Sequence, residues 1–258
     1  MSGLQGRTVV VTRPADQAGE FIAVLERAGA VPLAFPTLAI APRELDAADR
    51  QKILDLDRYR AVICVSANAA RLGLDALADY WPQWPVQQLW FAVGPATGEA
   101  MKSWGVPVTV AQQGATSETL LDHSELKRVA GEHILILRGE GGRETLADTL
   151  RERGASVDYL ELYQRVTPVT DPAPLFAALD QRPGPILTVT SGDGLRNLMA
   201  LADKRLKQLQ HCPLLVVSGR LAEFARSQGF SQVWQAASPT PGDMLAALQQ
   251  ALHQTRPD

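Results

Sequence analysis

The chain has 258 residues, of which 46% are hydrophobic and 21% are charged, and its formal net charge at pH 7 is −3. These values are typical of a globular protein with one large or two ordinary domains, and they give no support for a nucleic-acid partner. Because no apolar run reaches the roughly 18 residues of a membrane span and the start lacks the pattern of a signal peptide, we expect a cytoplasmic protein without a membrane partner.

Short apolar runs alternate with amphipathic stretches along the chain. RTVVVTR is followed by QAGEFIAVLERAGA, YRAVICVS by ANAARLGLDALADYW, and LWFAVG by PATGEAMKSWG. HILILR, PILTVTS and PLLVVSG come later, and each of them also precedes a helix-like pattern. Runs rich in Val, Ile and Leu are typical of strands buried on both faces, and strands that alternate with helices form parallel sheets. The pattern therefore predicts an α/β fold.

The sequence repeats itself after about 125 residues. Arg13 and Arg138 both follow an apolar run and lie 125 positions apart, and Ser66 and Ser191 are separated by the same distance. Later pairs lie 124 positions apart, so one deletion in the second copy explains the change. A period of this length is too long for a solenoid and indicates two similar domains.

Two proline-bounded segments lie at equivalent points of the two copies. They are FPTLAIAPRELD at 35–46 and LELYQRVTPVTDPAPL at 160–175, and neither has helical periodicity. They are candidates for paired linkers between two domains. A linker with few contacts would let the domains tilt, and a ligand held between them could drive closure.

Small, hydroxylated or basic residues follow the predicted strands. In open parallel sheets, ligands bind at this edge beside helix N-termini, which favour anions. The set suits carboxylates or phosphates, although helix capping and solvated strand ends are the simpler roles for the hydroxyls and the arginines. The residues are Arg13, Ser66–Ala67–Asn68, Gly94–Pro95–Ala96–Thr97, Arg138–Gly139, Ser191–Gly192 and Ser218–Gly219–Arg220.

Several catalytic and ligand-binding motifs are missing from the sequence. It has no G-x-x-x-x-G-K-[ST] phosphate loop and no G-x-S-x-G elbow, and RGEGGRE lacks the G-x-G-x-x-G spacing of a dinucleotide site. The four histidines are scattered, and Cys64 and Cys212 lie in or beside apolar runs, so we expect buried thiols in a reducing compartment and no metal site. Tyr163 lies in the second linker, where its phenol could face an interdomain cleft as a stacked hinge residue, a hydrogen-bond donor or a general acid.

Over essentially its full length, the chain resembles the uroporphyrinogen-III synthase family. The order and spacing of the segments carry this resemblance. The matching segments are VVVTRP with Arg13, FPTLAIAP, VSANA with Ser66, AVGPATGEAMKSWG with Thr97, ILILRGEGGRETLADTLRERGA, LYQRV with Tyr163, TVTSGDGLRNL with Ser191, and PTPGDML with Thr240.

The resemblance implies an α/β architecture of two flavodoxin-like domains, each with a doubly wound parallel sheet, joined by a two-stranded linker. The first domain would combine residues 1–36 with 168–258, and the second would span 43–160. The linker strands would be 37–42 and 161–167. Each domain would then take one β–α–β unit from one copy of the repeat and the remaining units from the other.

The resemblance also implies a reaction. The substrate would be hydroxymethylbilane, an open-chain tetrapyrrole with acetate and propionate groups, which the enzyme closes with inversion of the last pyrrole and loss of water in tetrapyrrole (haem) biosynthesis. The family needs no metal and no organic cofactor. In the family's usual account, loss of the hydroxyl gives a cationic azafulvene, and attack by the substituted carbon of the terminal ring gives a spiro intermediate that fragments and recloses.

Site residues follow from the same match. Tyr163 corresponds to the family tyrosine and is the candidate general acid. Leu221 duplicates Thr97, so the two half-sites differ chemically. The candidate substrate-binding residues are Ser66, Asn68, Thr97, Ser191 and Thr240, with Arg13, Arg138 and Arg143 as carboxylate partners and Gly139 as a point of close main-chain approach.

Two other functions stay open at the level of the sequence. Two hinged α/β domains also describe a non-catalytic ligand-binding module for a polyanionic small molecule. A nucleotide- or sugar-phosphate-handling enzyme of the same fold class is the other alternative, although the missing phosphate motifs argue against it. Two complete sheets in one chain would leave no need for a partner subunit, so we expect a monomer.

Overall fold

The computed structural model describes residues 3–111 and 116–254, and the chain divides into two compact units. Unit 1 comprises Met1–Ala39 and Val166–Asp258, and unit 2 comprises Ile40–Arg165. Strands and helices alternate through both units, as the sequence pattern predicts. The extent of the two domains as independently folding bodies stays a prediction.

The described strands and helices have the following bounds. The strands are β1 (Thr8–Val11), β2 (Val31–Ala34), β3 (Ala39–Pro42), β4 (Ala61–Cys64), β5 (Leu89–Ala92), β6 (Val108–Val110), β7 (His133–Arg138), β8 (Ser156–Glu161), β9 (Tyr163–Val166), β10 (Ile186–Val189), β11 (Leu214–Val216) and β12 (Val233–Gln235). The helices are α1 (Ala15–Arg27), α2 (Ala47–Leu54), α3 (Ala67–Ala78), α4 (Pro95–Lys102), α5 (Ser117–Leu121), α6 (Ser124–Lys127), α7 (Thr145–Glu152), α8 (Ala173–Leu179), α9 (Gly192–Ala202), α10 (Leu206–Gln210), α11 (Gly219–Ser227) and α12 (Pro241–Gln254).

Unit 1 contains a five-stranded parallel sheet in the order β12-β11-β10-β1-β2. When these strands are numbered within the unit, the order from the β2 edge is 2-1-3-4-5, which is the flavodoxin-like order of a doubly wound sheet. In the register, Val10 of β1 lies between Leu187 of β10 and Leu33 of β2.

Unit 2 contains a second five-stranded parallel sheet, in the order β6-β5-β4-β7-β8. Strands β7 and β8 are the repeat equivalents of β1 and β2, and β4 to β6 are the equivalents of β10 to β12. Both sheets therefore have the same order, and each unit combines parts of both copies of the repeat. The predicted fold class is confirmed.

A third sheet has only two strands, β3 and β9. These strands lie within the proline-bounded segments that the sequence singles out as paired linkers. Both boundaries between the units fall inside them, after Ala39 and after Arg165.

Alternating residues of each strand pack on opposite faces of the sheet. In β4, Val62 and Cys64 belong to one apolar cluster of unit 2, and Ala61 and Ile63 belong to another. The sheet of unit 1 also lies between two clusters. Because both faces are covered, the central strand β4 is wholly apolar, and in β10 the hydroxyl of Thr188 donates to the carbonyl of Val10, as expected for parallel sheets.

A charged network ties helix α2 to strand β8 in unit 2. Asp49 is buried, and its carboxylate accepts bonds from Arg43 at 2.9 Å and from Lys52 at 3.0 Å. Lys52 also donates to the carbonyl of Tyr159 at 2.8 Å, and the Arg43 N–H donates to the carbonyl of Leu162 at 2.9 Å. A buried carboxylate is tolerated because two cations compensate it, and the network fixes the chain just before Tyr163.

Cys64 and Cys212 are both buried and unpaired, which confirms the sequence-based interpretation of them as buried thiols. Burial raises the pKa of the Cys64 thiol well above its ordinary range, and it raises the pKa of Cys212 to about 11. Within the described part of the chain, no helix is both long and apolar enough to cross a membrane.

We expect both thiols to react slowly with a disulfide reagent in the native protein at pH 8. The thiolate is the nucleophile, and burial disfavours it at both positions. Ellman's reagent should therefore titrate the two thiols rapidly only after unfolding in guanidinium. Rapid release of one equivalent of chromophore from native protein would contradict the described burial.

Candidate active site

Serine hydroxyls cap the helices that follow the central strands. Ser66 follows β4 and accepts a bond from the Ala69 N–H at 3.1 Å, and Ser191 follows β10 and accepts from the Gly194 N–H at 3.0 Å. The capping role that the sequence allowed for these hydroxyls is therefore confirmed. Capping uses a lone pair of the oxygen, so each hydroxyl can still donate its own proton.

Tyr163 is the first residue of β9, and its hydroxyl lies 3.0 Å from Ser66 Oγ, with either oxygen able to donate. The side chain belongs to the apolar core of unit 2 and is only 1% exposed. The ring packs into that core, so the phenol is closed to solvent. Ser66 is partly exposed and is the outer member of the pair.

Gly139 lies against the ring of Tyr163. A Cβ atom placed on Gly139 would be 2.4 Å from Cε2 and 2.6 Å from Cζ of the ring. The Glu140 N–H donates to the carbonyl of Tyr163 at 2.8 Å, so the glycine-rich turn after β7 is bonded to the start of β9.

Arg138, the last residue of β7, is 4% exposed and is surrounded by acceptors of its own chain. Nη1 lies 2.9 Å from Glu144 Oε1, Nε donates to the Gly139 carbonyl at 3.2 Å, and Nη2 donates to the Gly141 carbonyl. The guanidinium also lies over the ring of Tyr159, 4.4 Å from its centroid. A substrate carboxylate would have to replace Glu144 to bind this arginine.

A cavity of about 120 Å³ lies beside this turn. Its lining includes Arg138, Arg143 and Arg165 together with Tyr159 and Ser117. Arg143 has a side chain that is 67% exposed, and it lies 3.8 Å from Glu118.

Arg165 was not identified from the sequence, although its position carried a signal. Residues two apart on a strand share a face, so Arg165 lies on the same face of β9 as Tyr163. Its guanidinium is 5.8 Å from the centroid of the Tyr163 ring.

Asn68 and Thr97 lie in the first turns of α3 and α4. Asn68 is partly exposed, and its Oδ1 is 3.5 Å from Nη2 of Arg71. Thr97 is buried, as is its repeat equivalent Leu221, so both side chains pack between their helices and the sheets. The structure thus places Ser66, Tyr163 and Gly139 in one cluster, with Asn68 in the turn that Ser66 caps.

In unit 1, Arg13 bridges the end of β1 to the start of α12. Its Nη2 donates to the carbonyl of Pro239 and to Met244 Sδ, and the guanidinium lies 5.5 Å from the centroid of Phe21. Burial lowers the pKa of Arg13. Thr240 is exposed next to Pro239, and its Oγ1 accepts from the Asp243 N–H at 3.4 Å as the cap of α12.

Ser191 lines a groove of about 540 Å³ in unit 1, between the N-termini of α9 and α11. Ser218 caps α11, with the Leu221 N–H at 3.3 Å from its Oγ. Arg196 and Arg220 also line the groove, and Arg196 is paired with Asp193 at 2.6 Å. Two helix N-termini and Arg220 make the groove favourable for anions, whereas the charge of Arg196 is compensated by Asp193, which also lines the groove.

Glu144 links Arg138 to Tyr159. Hydrogen bonds from the Tyr159 hydroxyl and then from Arg138 lower the pKa of the Glu144 carboxyl. Burial, followed by the interaction with Glu144, raises the pKa of Tyr159. A carboxyl whose pKa is lowered in the folded state contributes stability above its unfolded pKa and loses it as the pH falls through the folded value.

We therefore expect the free energy of unfolding of Glu144→Gln to depend less on pH in the acid range than that of the wild type. Wild-type protein should lose free energy of unfolding as the pH falls below the ordinary glutamate pKa of 4.5, and the variant should lose less over the same range. Urea titrations at several pH values between about 7 and 3 measure this difference. Glu223→Gln, at an exposed position of α11, is the matched control. Parallel profiles for wild type and Glu144→Gln would contradict the bonds from Tyr159 and Arg138 to this carboxylate.

Known proteins resemble this chain over most of its length. The sequence model of the family described as "Uroporphyrinogen-III synthase HemD" matches residues 19–246. The uroporphyrinogen-III synthase of Escherichia coli (strain K12) is 33% identical over 94% of this chain and all of its own length. The enzyme of that name from Salmonella typhimurium is 35% identical with the same coverage of both chains.

Solved structures support the fold. A mutant uroporphyrinogen III synthase from the extremely thermophilic bacterium Thermus thermophilus has a TM-score of 0.64 and 20% identity, covering 96% of this chain and 100% of its own. The uroporphyrinogen-III synthetase of Helicobacter pylori 26695 has a TM-score of 0.56 and 16% identity, covering 94% of this chain and 97% of its own. The family match over residues 19–246 and the relatives from Escherichia coli and Salmonella typhimurium, at 33% and 35% identity, establish that the chain belongs to the uroporphyrinogen-III synthase family.

Proposed function

We propose that this chain converts hydroxymethylbilane to uroporphyrinogen III, with inversion of the terminal pyrrole and loss of water, in tetrapyrrole (haem) biosynthesis. Family membership makes the chain a cyclising lyase of this pathway. The structural observation that supports the proposal best is the hydroxyl pair of Tyr163 and Ser66 at the carboxyl ends of the unit 2 strands.

Substrate binding must come from local groups, because the net charge of −3 provides no overall electrostatic attraction for a polycarboxylate. The N-termini of α3 and α9 supply N–H groups beside Ser66 and Ser191. Each charge-assisted hydrogen bond contributes on the order of 1.5–3 kcal/mol. The proposed side-chain contacts are Ser66, Asn68, Ser191 and Thr240, whereas Thr97, whose side chain is buried, would contribute only main-chain N–H groups at the start of α4.

Among the proposed carboxylate partners, Arg143 is the most accessible, since two-thirds of its side chain is exposed. Arg13 and Arg138 are already engaged with carbonyl groups and, for Arg138, with Glu144. They can bind a carboxylate only by exchanging these partners.

The first chemical step is loss of the hydroxyl group from the hydroxymethyl carbon. Ser66 is the outer hydroxyl of the pair, so a proton that it gives to the leaving oxygen is replaced from the phenol of Tyr163. The C–O bond breaks, its electrons leave with water, and the pyrrole nitrogen supplies electrons to the resulting azafulvene cation. General acid assistance of this kind accelerates such a step by about 10²–10⁴-fold.

The remaining steps rearrange carbon bonds and return the proton. The substituted carbon of the terminal ring attacks the exocyclic cation, and the spiro intermediate fragments and recloses with that ring inverted. The macrocycle then loses one proton, which balances the proton spent on water. Because the open chain tends to close without inversion, the protein must hold the terminal ring in the less favoured orientation.

We also propose that the protein acts as a monomer in the cytoplasm. Each unit has its own sheet covered on both faces, so folding of the chain needs no second subunit. Two buried free thiols fit a reducing compartment.

Freshly prepared hydroxymethylbilane tests the activity directly. The purified protein should yield the type III isomer in excess over the type I isomer that forms without enzyme, as resolved by chromatography of the oxidised porphyrins. A non-catalytic binding module would leave the isomer ratio unchanged, and this result would overturn the proposed function.

Replacement of Tyr163 by Phe tests the acid. The variant keeps the ring in the core but loses the proton donor, so kcat should fall by about 10²-fold or more, while the free energy of unfolding changes by about 1 kcal/mol, the net value of one hydrogen bond. Tyr80→Phe, at a tyrosine that is 46% exposed, is the control and should have wild-type activity. An unchanged kcat for Tyr163→Phe would remove Tyr163 from the mechanism.

A further inference from the structure

The turn that follows β7 is attached to both sides of Tyr163. The Leu162 N–H donates to the carbonyl of Arg138 at 2.9 Å, and the Glu140 N–H donates to the carbonyl of Tyr163 at 2.8 Å. Main-chain bonds thus flank Gly139 before and after, and they hold it opposite the tyrosine ring.

At Gly139 the missing side chain matters more than backbone freedom. Its φ is outside the left-handed region that favours glycine, so an alanine could adopt this backbone. A Cβ atom would nevertheless lie 2.4, 2.6 and 3.0 Å from three atoms of the Tyr163 ring. Normal carbon contacts are about 3.5–4.0 Å, so the ring or the turn would have to move by roughly 1 Å.

The ring has little freedom to move away while keeping its hydrogen bond. It is 1% exposed within the unit 2 core, and its hydroxyl is 3.0 Å from Ser66. Displacement of the ring would therefore lengthen or misalign the bond to Ser66, because hydrogen bonds weaken steeply when their geometry is distorted.

Arg138 holds the turn from the other side. Its guanidinium donates to the carbonyls of Gly139 and Gly141 and to Glu144, and it stacks on Tyr159. These contacts require the planar, multiply donating guanidinium, which a lysine ammonium cannot reproduce.

We propose that Arg138 and Gly139 are positioning residues for Tyr163. Arg138 fixes the turn, and Gly139 leaves the space in which the ring holds its hydroxyl against Ser66. This proposal rests on the proposed function, since it assumes that Tyr163 is the acid. In this proposal both residues hold the ring of Tyr163 in place, whereas the sequence suggests that they bind substrate.

Gly139→Ala is the direct test. We expect kcat to fall by about 10- to 100-fold with KM changed less than about threefold, because misplacement by 1 Å costs catalysis more than binding. Gly98→Ala is the matched steric control. Its Cβ would lie 2.5 Å from Cγ2 of Val110, which packs on the same core, and its three nearest atoms belong to Val110 and Ala92 rather than to Tyr163 or the residues beside it. It should lose stability without the loss of kcat.

A double-mutant cycle separates positioning from direct substrate contact. In a Tyr163→Phe background the hydroxyl is already absent, so adding Gly139→Ala should lower kcat by less than about twofold further. If Gly139 contacts substrate through its main chain, the two losses should instead multiply, and this result would overturn the proposal.

Tyrosine NMR gives a readout that does not depend on activity. The chain has four tyrosines, and the ring signal of Tyr163 in protein labelled with ¹³C-tyrosine is identified by its loss in Tyr163→Phe. Gly139→Ala should shift that signal and leave the signals of Tyr59 and Tyr80 in place. An unshifted Tyr163 signal would contradict the positioning role.

The same experiments with Arg138→Lys cover the case in which Gly139→Ala does not fold. Loss of the guanidinium should shift the Tyr163 signal and lower kcat, and the loss of kcat should disappear in the Tyr163→Phe background. Normal turnover by Tyr163→Phe alone would overturn the acid role in the proposed function. An unshifted Tyr163 signal in Gly139→Ala and Arg138→Lys would overturn only the positioning proposal.

Discussion

The hydrogen bond between Tyr163 and Ser66 is the contact on which the site in unit 2 depends. It joins residues 97 positions apart and connects the end of β4 to the start of β9. A buried hydroxyl that loses its partner costs about 1–3 kcal/mol, so the pair also favours one arrangement of these two segments. The Asp49 network fixes the chain before Tyr163, and the turn at Gly139 packs on its ring. The surrounding structure therefore holds one phenol in one place.

The duplicated sequence explains why two similar sheets carry different chemistry. Ser66 and Ser191 are repeat equivalents, and both cap the helix after a central strand. The residue 125 positions before Tyr163 is Leu38, which has no hydroxyl. The fold thus supplies two anion-favouring strand edges through shared backbone geometry, while the tyrosine hydroxyl occurs in one copy only. Such asymmetry suits a substrate whose two ends react differently.

The sequence predicts the strands, the helices and the capping residues because these depend on short-range patterns. The repeat indicates two similar domains, and the resemblance to the family implies their flavodoxin-like sheets. The environment of Arg138 could not be predicted, because its bonds to the carbonyl of Gly141 and to Glu144 depend on a turn with φ of +68° at Gly141. The burial of Tyr163 was also missed, since it depends on packing between segments far apart in the sequence. Relatives of known name cover most of the chain, and they agree with the family that its motifs suggest.

The most direct test of this account is a double-mutant cycle between Ser66→Ala and Tyr163→Phe, with kcat for hydroxymethylbilane as the readout. If the two hydroxyls act as one proton-donating pair, the double variant should be about as slow as the slower single variant. The free energy of unfolding, measured in parallel, accounts for the cap that Ser66→Ala removes from α3. If the two losses multiply, the hydroxyls act independently, and the central claim is contradicted.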